Sequence, residues 1–222
     1  MCGRYVIDIT DDLSGIKTII EEAQRRAQTA QDNLVGTGYP IVKTGEVFPG
    51  DIAAVLLPPV DYQAAPALRP YPMVWGYPGF KGSSSKIFNT RIEQALQKPL
   101  WQDSINTRRC IIPCNGFYEW GKQKIGSMVK KQKYLFRLKD EPLLYMAGIY
   151  RRLSARECQK TNSIVPESCF SILTTRPNRL IAQIHDRMPV VLRQSELDQW
   201  LKGDWQSLAD RDLVELVVSP AA

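Results

Sequence analysis

RRCIIPCNGFYEWGKQKIGSMVKKQKYLFRLKDEPLLYMAGI, residues 108–149, is the stretch that decides the fold class. Inside it, Arg108 to Ile112, Phe117 to Trp120, Tyr134 to Leu138 and Leu143 to Ile149 are short runs dominated by aliphatic and aromatic residues. Gly, Pro, Asn and Asp bound them, which is the signature of successive strands. Gly121 to Lys133, rich in Gly and Lys, reads as a hairpin loop. Working outward, Asp51 to Leu57, Met73 to Gly76 and Phe170 to Thr175 add further strand-like runs. Helical patterning is sparser. Thr10-Asp11-Asp12 can cap a helix with apolar positions Leu13, Ile16, Ile20, Ala23 and Ala27. Shorter helical stretches fall at Arg91 to Leu96, Pro177 to Ile184 and Ser195 to Leu201, with Pro177 and Ser195 suited to first-turn and cap positions. Gln28 to Pro49 reads as loop, and the prolines from Pro58 to Pro72 as a connection. Strands outnumber helices without regular alternation. The expected fold is therefore α+β: a single domain over residues 1–222, with a mainly antiparallel, barrel-like sheet core and flanking helices.

The 222 residues suit one compact domain, and 44% apolar with 23% charged residues is the balance of a globular chain. No apolar run approaches the ~20 residues that span a bilayer. A basic segment followed by an apolar one is also missing at the start, so no membrane partner and a cytoplasmic location are expected. A net charge of +6 suits a polyanionic partner and equally an ordinary basic protein. The five cysteines are odd in number and scattered, which argues against a disulfide framework. Cys110 and Cys114 have neither a second pair nor nearby histidines, so they read as core thiols and no metal or other cofactor is expected.

Four places carry residues suited to chemistry. Once Met1 is removed, Cys2 offers a thiol and an α-amine on one residue. That amine has a reference pKa near ~7.7–8.0, so part of it is neutral and nucleophilic at pH 7. Such a 1,2-aminothiol forms an imine with an aldehyde and then closes through sulfur to a thiazolidine. By itself, a cysteine at position 2 is equally a chance residue in a frayed terminus. His185, the sole histidine, precedes Asp186 and Arg187 at an expected helix-to-strand junction. It is either a tuned acid/base or a surface imidazole. Glu119, between Phe117-Tyr118 and Trp120, is either a desolvated carboxyl fit for proton transfer or the outward residue of an alternating strand. Asn89 and Arg91 can hold a small polar group and a phosphate, or can simply open a helix.

Cys2-Gly3-Arg4, Trp75-Gly76, Asn89-x-Arg91-x-Glu93, Lys98-Pro99-Leu100-Trp101, Gly116-Phe117-Tyr118-Glu119-Trp120 and His185-Asp186-Arg187-Met188-Pro189 occur in this order. The series resembles the SOS response-associated peptidase (SRAP) family from residue 2 to about residue 192. That resemblance implies a domain that recognises abasic sites in single-stranded DNA and links to them covalently. It implies Cys2 as nucleophile, Asn89 as the positioner of the N-terminus and opened sugar, and Glu119 with His185 as the acid/base pair. Arg4, Arg91 and Arg187 would hold phosphates, and Trp75 would support the strand or its terminal bases. The family name further implies autoproteolytic release of Met1. A monomer acting on damaged DNA, nucleoid-associated when bound, is the expected working form.

Two departures from the family bear on the DNA path. The family's Arg-Tyr-Asn-x-Ala-Pro segment stands here as Thr44 to Pro49, so Glu46 replaces Asn and is expected to set a negative charge near the DNA path. Gln102 stands where members often carry Arg. Two competing readings remain at this level. One is a thiol peptidase with Cys2 as nucleophile, His185 as base and Asn89 as orienting group. The other is a non-catalytic DNA-binding module with a basic groove.

Overall fold

The computed structural model describes residues 2–10, 15–32, 41–59, 67–79, 85–125, 128–154, 157 and 167–221. Its strands are β1 (Tyr5–Ile7), β2 (Gly45–Val47), β3 (Ile52–Leu57), β4 (Arg69–Trp75), β5 (Tyr77–Pro78), β6 (Lys86–Ile87), β7 (Asn89–Arg91) and β8 (Arg109–Cys114). They continue with β9 (Gly116–Ile125), β10 (Met128–Leu138), β11 (Leu144–Arg152), β12 (Ser168–Thr175), β13 (Met188–Pro189), β14 (Val191–Leu192) and β15 (Leu216–Ala221). The helices are α1 (Ile16–Asp32), α2 (Ile92–Ala95), α3 (Pro99–Thr107) and α4 (Leu197–Lys202).

One sheet runs in the order β15-β10-β9-β1-β2, antiparallel throughout. A second runs β13-β12-β4-β3-β8-β11-β14 and closes on itself, because β12 also pairs with β11. Its pairs are antiparallel except where β12 meets β4 and β7. This is the α+β, mainly antiparallel, barrel-like class expected from the strand pattern. Closure matters physically: it removes the open edges that would otherwise invite pairing with another chain. The core between the sheets holds Tyr5, Val47, Trp75, Phe117, Phe136, Ile111, Ile112, Phe170 and Ile172, all without exposed surface. Cys110 and Cys114 are buried with them, as free thiols.

Several elements differ from the sequence expectation, each for a local reason. The segment from Gly121 to Lys133 is mostly ladder, not loop: β9 pairs with β10 from Phe117↔Phe136 out to Ile125↔Met128. Main-chain hydrogen bonds hold this ribbon, so exposed lysines do not end it. The proline-rich connection also hides a strand, since Pro70 and Pro72 lie within β4 opposite Leu56 and Ala54. The other edge of β4 meets β12 only at Val74 and Trp75, past both prolines, so the missing N–H groups break no ladder bond there. Helix α1 runs on through Asp32 into the expected loop and buries Ile16, Ile20, Ala23 and Ala27; its expected cap at Asp11-Asp12 and Leu13 lie outside the described residues. Pro177 to Ile184 yields only a 3₁₀ turn, Ile181–Gln183. Helix α3, started by Pro99, and strand β15 were not anticipated.

Barrel closure brings β8 and β12 tightly against β11 at Gly148. A methyl group there would run into the Ile112 side chain, and its ideal position lies 3.0 Å from the Cys110 sulfur and 3.3 Å from the Ser171 carbonyl oxygen. Gly148→Ala is therefore expected to overpack the core at a cost of about 1–3 kcal/mol. That exceeds the ~0.4–1 kcal/mol gained by stiffening the unfolded chain. Urea unfolding should show a lower midpoint with an unchanged slope.

Candidate functional site

The site is built where β1, β7, β9 and the turn after β12 converge. Trp75 stands beneath it without exposed surface. Its ring packs on Tyr5 at 5.0 Å, Phe88 at 5.9 Å and, nearly parallel, Phe170 at 6.3 Å between centroids. Its indole Nε1–H donates to the Phe88 carbonyl at 2.9 Å. Trp75 thereby fixes the strand entering Asn89 relative to the strand leaving Cys2. A fully buried ring has no face left for a nucleotide, so the expected base contact by Trp75 is replaced by a positioning role.

Asn89 Nδ2 donates to the Cys2 carbonyl at 2.7 Å, across 87 positions of sequence. Its Oδ1 is buried and has no hydrogen-bond partner among the described residues. Cys2 itself is fully buried, and its thiol lies 3.5 Å from the Arg4 carbonyl oxygen. Burial, and then the charge of Glu119, push that thiol well above its ordinary pKa. Glu119, on β9 opposite Tyr134, is 2% exposed, so alternation turns it inward rather than out. Burial raises its carboxyl to about 7, with the positive amino terminus of the chain acting against the shift.

His185 follows the 3₁₀ turn and is brought to β9 by its neighbour. Ile184 packs over Gly121, which lies two residues beyond Glu119 on the same face of the strand; a Cβ at Gly121 would sit 3.2 Å from Ile184 Cγ2. The Arg187 main-chain N–H donates to His185 Nδ1 at 3.0 Å, and an Asp186 carboxylate oxygen lies 2.9 Å from the same nitrogen. Burial, followed by the amino-terminal charge, lowers the imidazole pKa. At neutral pH the arrangement offers a neutral imidazole, a carboxyl near half-ionisation, and a thiol held as a thiol.

The arginines expected at phosphates divide. Arg91 is exposed. Arg187 is 8% exposed, with Nη1 and Nη2 on the two Glu93 oxygens at 2.9 and 2.8 Å and Nη2 also on the Thr174 carbonyl at 2.6 Å. It ties α2, just past Asn89, to the His185 turn, and in this arrangement it is committed to the protein rather than open to a phosphate. Arg4 reaches Glu46 at 2.8 Å and lies over the rings of Phe48 and Trp120. Glu46 is not a bare negative charge near the site: Arg4 and Lys133 hold both of its oxygens. Sequence reading had given no role to Glu93, Lys133 or Gly121, and no spacing rule links them to their partners. A cavity of about 350 Å³ lined by Glu141, Pro142, Leu143, Tyr145, Gln194 and Ser195 shares no residue with this cluster.

The sequence model of the SOS response associated peptidase family matches residues 1–221. This chain belongs to the SRAP family. The abasic site processing protein YoaM of Bacillus subtilis is 36% identical over 52% of this chain and 47% of its own length. The abasic site processing protein YoqW of the same organism is 33% identical over 61% of this chain and 55% of its own. A Saccharomyces cerevisiae protein, abasic site processing protein YMR114C, is 24% identical over 98% of this chain and 60% of its own. The chain thus spans about half the length of the curated relatives it matches first. Crystal structures of proteins from Bordetella bronchiseptica (TM-score 0.67, 19% identity, all of both chains covered) and Bacteroides thetaiotaomicron (0.64, 22%, 100% and 92%) share the SRAP chain's fold. No helix among the described residues is long and apolar enough to cross a membrane.

The Glu93–Arg187 pair is open to a stability test. Burial opposes ionisation of Glu93, but the Arg187 hydrogen bonds and charge outweigh it and hold the carboxyl below the usual range. Glu93→Ala leaves a nearly buried guanidinium without its carboxylate, a loss expected at about 1–3 kcal/mol. A depressed carboxyl pKa stabilises the fold above the unfolded value and loses that contribution as pH falls through the folded value. The gap between wild type and Glu93→Ala in chemical unfolding should therefore be full at neutral pH and shrink in acid below the ordinary Glu range.

Proposed function

We propose that this SRAP chain is a covalent sensor of abasic sites in single-stranded DNA, crosslinking through Cys2 as a thiazolidine after Met1 is lost. The observation that carries the reading is the Asn89 bond to the Cys2 carbonyl, which fixes the second residue of the chain in a buried polar pocket with Glu119. A frayed terminus has no such anchor. The unpartnered Asn89 Oδ1 is an acceptor for a hydroxyl of the opened deoxyribose. The names of the relatives, abasic site processing proteins, point the same way.

Met1 leaves first, by autoproteolysis at the same residues or by a methionine aminopeptidase, and the Cys2 nitrogen changes from amide to amine. That amine attacks the C1′ aldehyde of the opened sugar to give a carbinolamine. Glu119, as the carboxylic acid, protonates the departing hydroxyl, and water leaves. The carboxylate so formed takes the Cys2 thiol proton as sulfur closes onto the imine carbon. Glu119 ends as it began, and the product is protein plus DNA minus one water. A buried thiol with a raised pKa fits this order, because sulfur acts second and only when a base has been generated beside it. Neutral His185 accepts or relays a proton during amine attack. Preorganisation of amine, thiol and carboxyl supplies effective concentration.

A peptidase acting in trans fits less well, since it needs a thiolate as first nucleophile and burial holds the Cys2 thiol protonated. Peptide turnover dependent on Cys2 would reverse this preference.

Incubation of Met1-processed protein with a single-stranded oligonucleotide bearing one abasic site should give a denaturation-resistant band of the dehydrated mass. The band should be absent with Cys2→Ala. A normal adduct from Cys2→Ala would sink the thiazolidine reading. The pH profile gives a second test. Burial, the largest cause of the raised Glu119 pKa, does not depend on Met1, so the acid form persists beyond the ordinary carboxyl range before it is lost, while the neutral amine is gained near ~7.7–8.0. The wild-type rate should peak between these and fall in alkali. Glu119→Gln should run some 10²–10⁴-fold slower, an order-of-magnitude expectation, and should lose the alkaline fall.

A further inference from the structure

Arg4, Glu46 and Lys133 share the outer face of the β2-β1-β9-β10 sheet, opposite the face that carries Tyr5, Phe117 and Phe136 into the core. Two cations from separate strands converge there on one carboxylate. Arg4 Nη1 takes Glu46 Oε2 at 2.8 Å, and Lys133 Nζ takes Oε1 at 2.5 Å. Aromatic surfaces line the pair: the Arg4 guanidinium carbon is 4.3 Å from the Phe48 ring centre and 4.8 Å from that of Trp120. Lys133 Nζ is 4.3 Å from the Tyr118 ring centre. Arg4 Nε is buried and has no hydrogen-bond partner among the described residues. The cluster is open to solvent on one side, with side-chain exposures of 27% for Arg4, 33% for Glu46 and 14% for Lys133, and Phe48 is 39% exposed.

One guanidinium N–H and an ammonium on one carboxylate, walled by aromatic rings, is the chemistry that also holds a nucleotide phosphate beside a stacked base. We propose that Glu46 occupies the place of a DNA phosphate between Arg4 and Lys133, so that single-stranded DNA binds by displacing the protein's own carboxylate. The proposal rests on the DNA reading above and assigns Lys133 to the phosphate path. Position supports it. Arg4 is two residues from Cys2, at most about 7 Å of chain, so the phosphate concerned neighbours the nucleotide at the reactive centre. Exchange is feasible because Glu46 keeps a third of its side chain in solvent, where ion pairs contribute little to stability. It also has a measurable cost: the two cations arrive already neutralised, so a bound phosphate releases fewer counterions from the strand than two free cations would.

The test is fluorescence anisotropy of the full chain with a labelled, undamaged single-stranded oligonucleotide over a potassium chloride series. With no aldehyde present, crosslinking cannot contribute. Glu46→Gln should bind roughly fivefold tighter, the size of one surface ion pair. Its log–log salt slope should steepen by about 0.7, the increment for one added phosphate neutralised on a single strand. Lys133→Gln should weaken binding relative to wild type, and adding it to Glu46→Gln should remove most of the gain. Melting of each variant by circular dichroism establishes that the folded protein is being compared. Unchanged or weaker binding by a folded Glu46→Gln overturns the proposal, as does indifference to Lys133→Gln. Normal abasic-site crosslinking alongside either result leaves the DNA reading standing. Absence of both binding and crosslinking by wild type removes both.

Discussion

The buried indole of Trp75 is the contact on which the rest of the arrangement depends. Its ring fills the space between Tyr5 and Phe170 while its Nε1–H satisfies the Phe88 carbonyl, so one side chain packs the core and sets backbone position at once. Tyr5 opens β1, three residues after Cys2, and Phe88 immediately precedes Asn89 and β7. Their separation is therefore governed by an object that cannot be compressed, because protein interiors are packed to crystal-like density. The Asn89–Cys2 hydrogen bond follows from that spacing. A chain terminus ordinarily pays too much conformational entropy to stay in one place; here a rigid floor and a directional hydrogen bond hold it.

Charge is handled in two ways around this floor. Inside, burial works against the ionised forms, which lifts Glu119 into the neutral range, lowers His185 and keeps the Cys2 thiol protonated. Outside, partners work in the other direction. Glu46, although burial resists it, is held ionised by Lys133 and Arg4, and Glu93 by Arg187. The same residue type thus serves as a proton carrier on one face of β9 and as a fixed counterion on the other side of the sheet. Desolvation distinguishes them, and the number of cations within hydrogen-bond reach decides the sign.

Much of this was readable from spacing and residue type. The α+β class followed from strand-like runs without regular alternation, and the buried stripe of α1 from its helical period, both local signals. Cys2, Asn89, Glu119 and His185 stood out in the sequence through the ordered motifs, not through any one of them; the contact of Asn89 with the Cys2 carbonyl is a tertiary fact. What misled was equally local. Lysines in β9 and β10 and prolines in β4 look like loop residues until a neighbouring strand supplies, or does not require, the main-chain hydrogen bond in question.

By itself the sequence determined the fold class, the core stripe of α1 and the chemical inventory near the amino terminus, because hydrophobic period and side-chain type act over a few residues. Tertiary structure alone decided which charges neutralise one another. Arg187 was spent on Glu93 across 94 positions and Lys133 on Glu46 across 87, and Trp75 became a pillar rather than a surface. The reason is physical. Hydrogen bonds and ion pairs form within a few ångströms, so their partners are chosen by how strands are stacked and closed into a barrel, a distance that sequence separation does not encode.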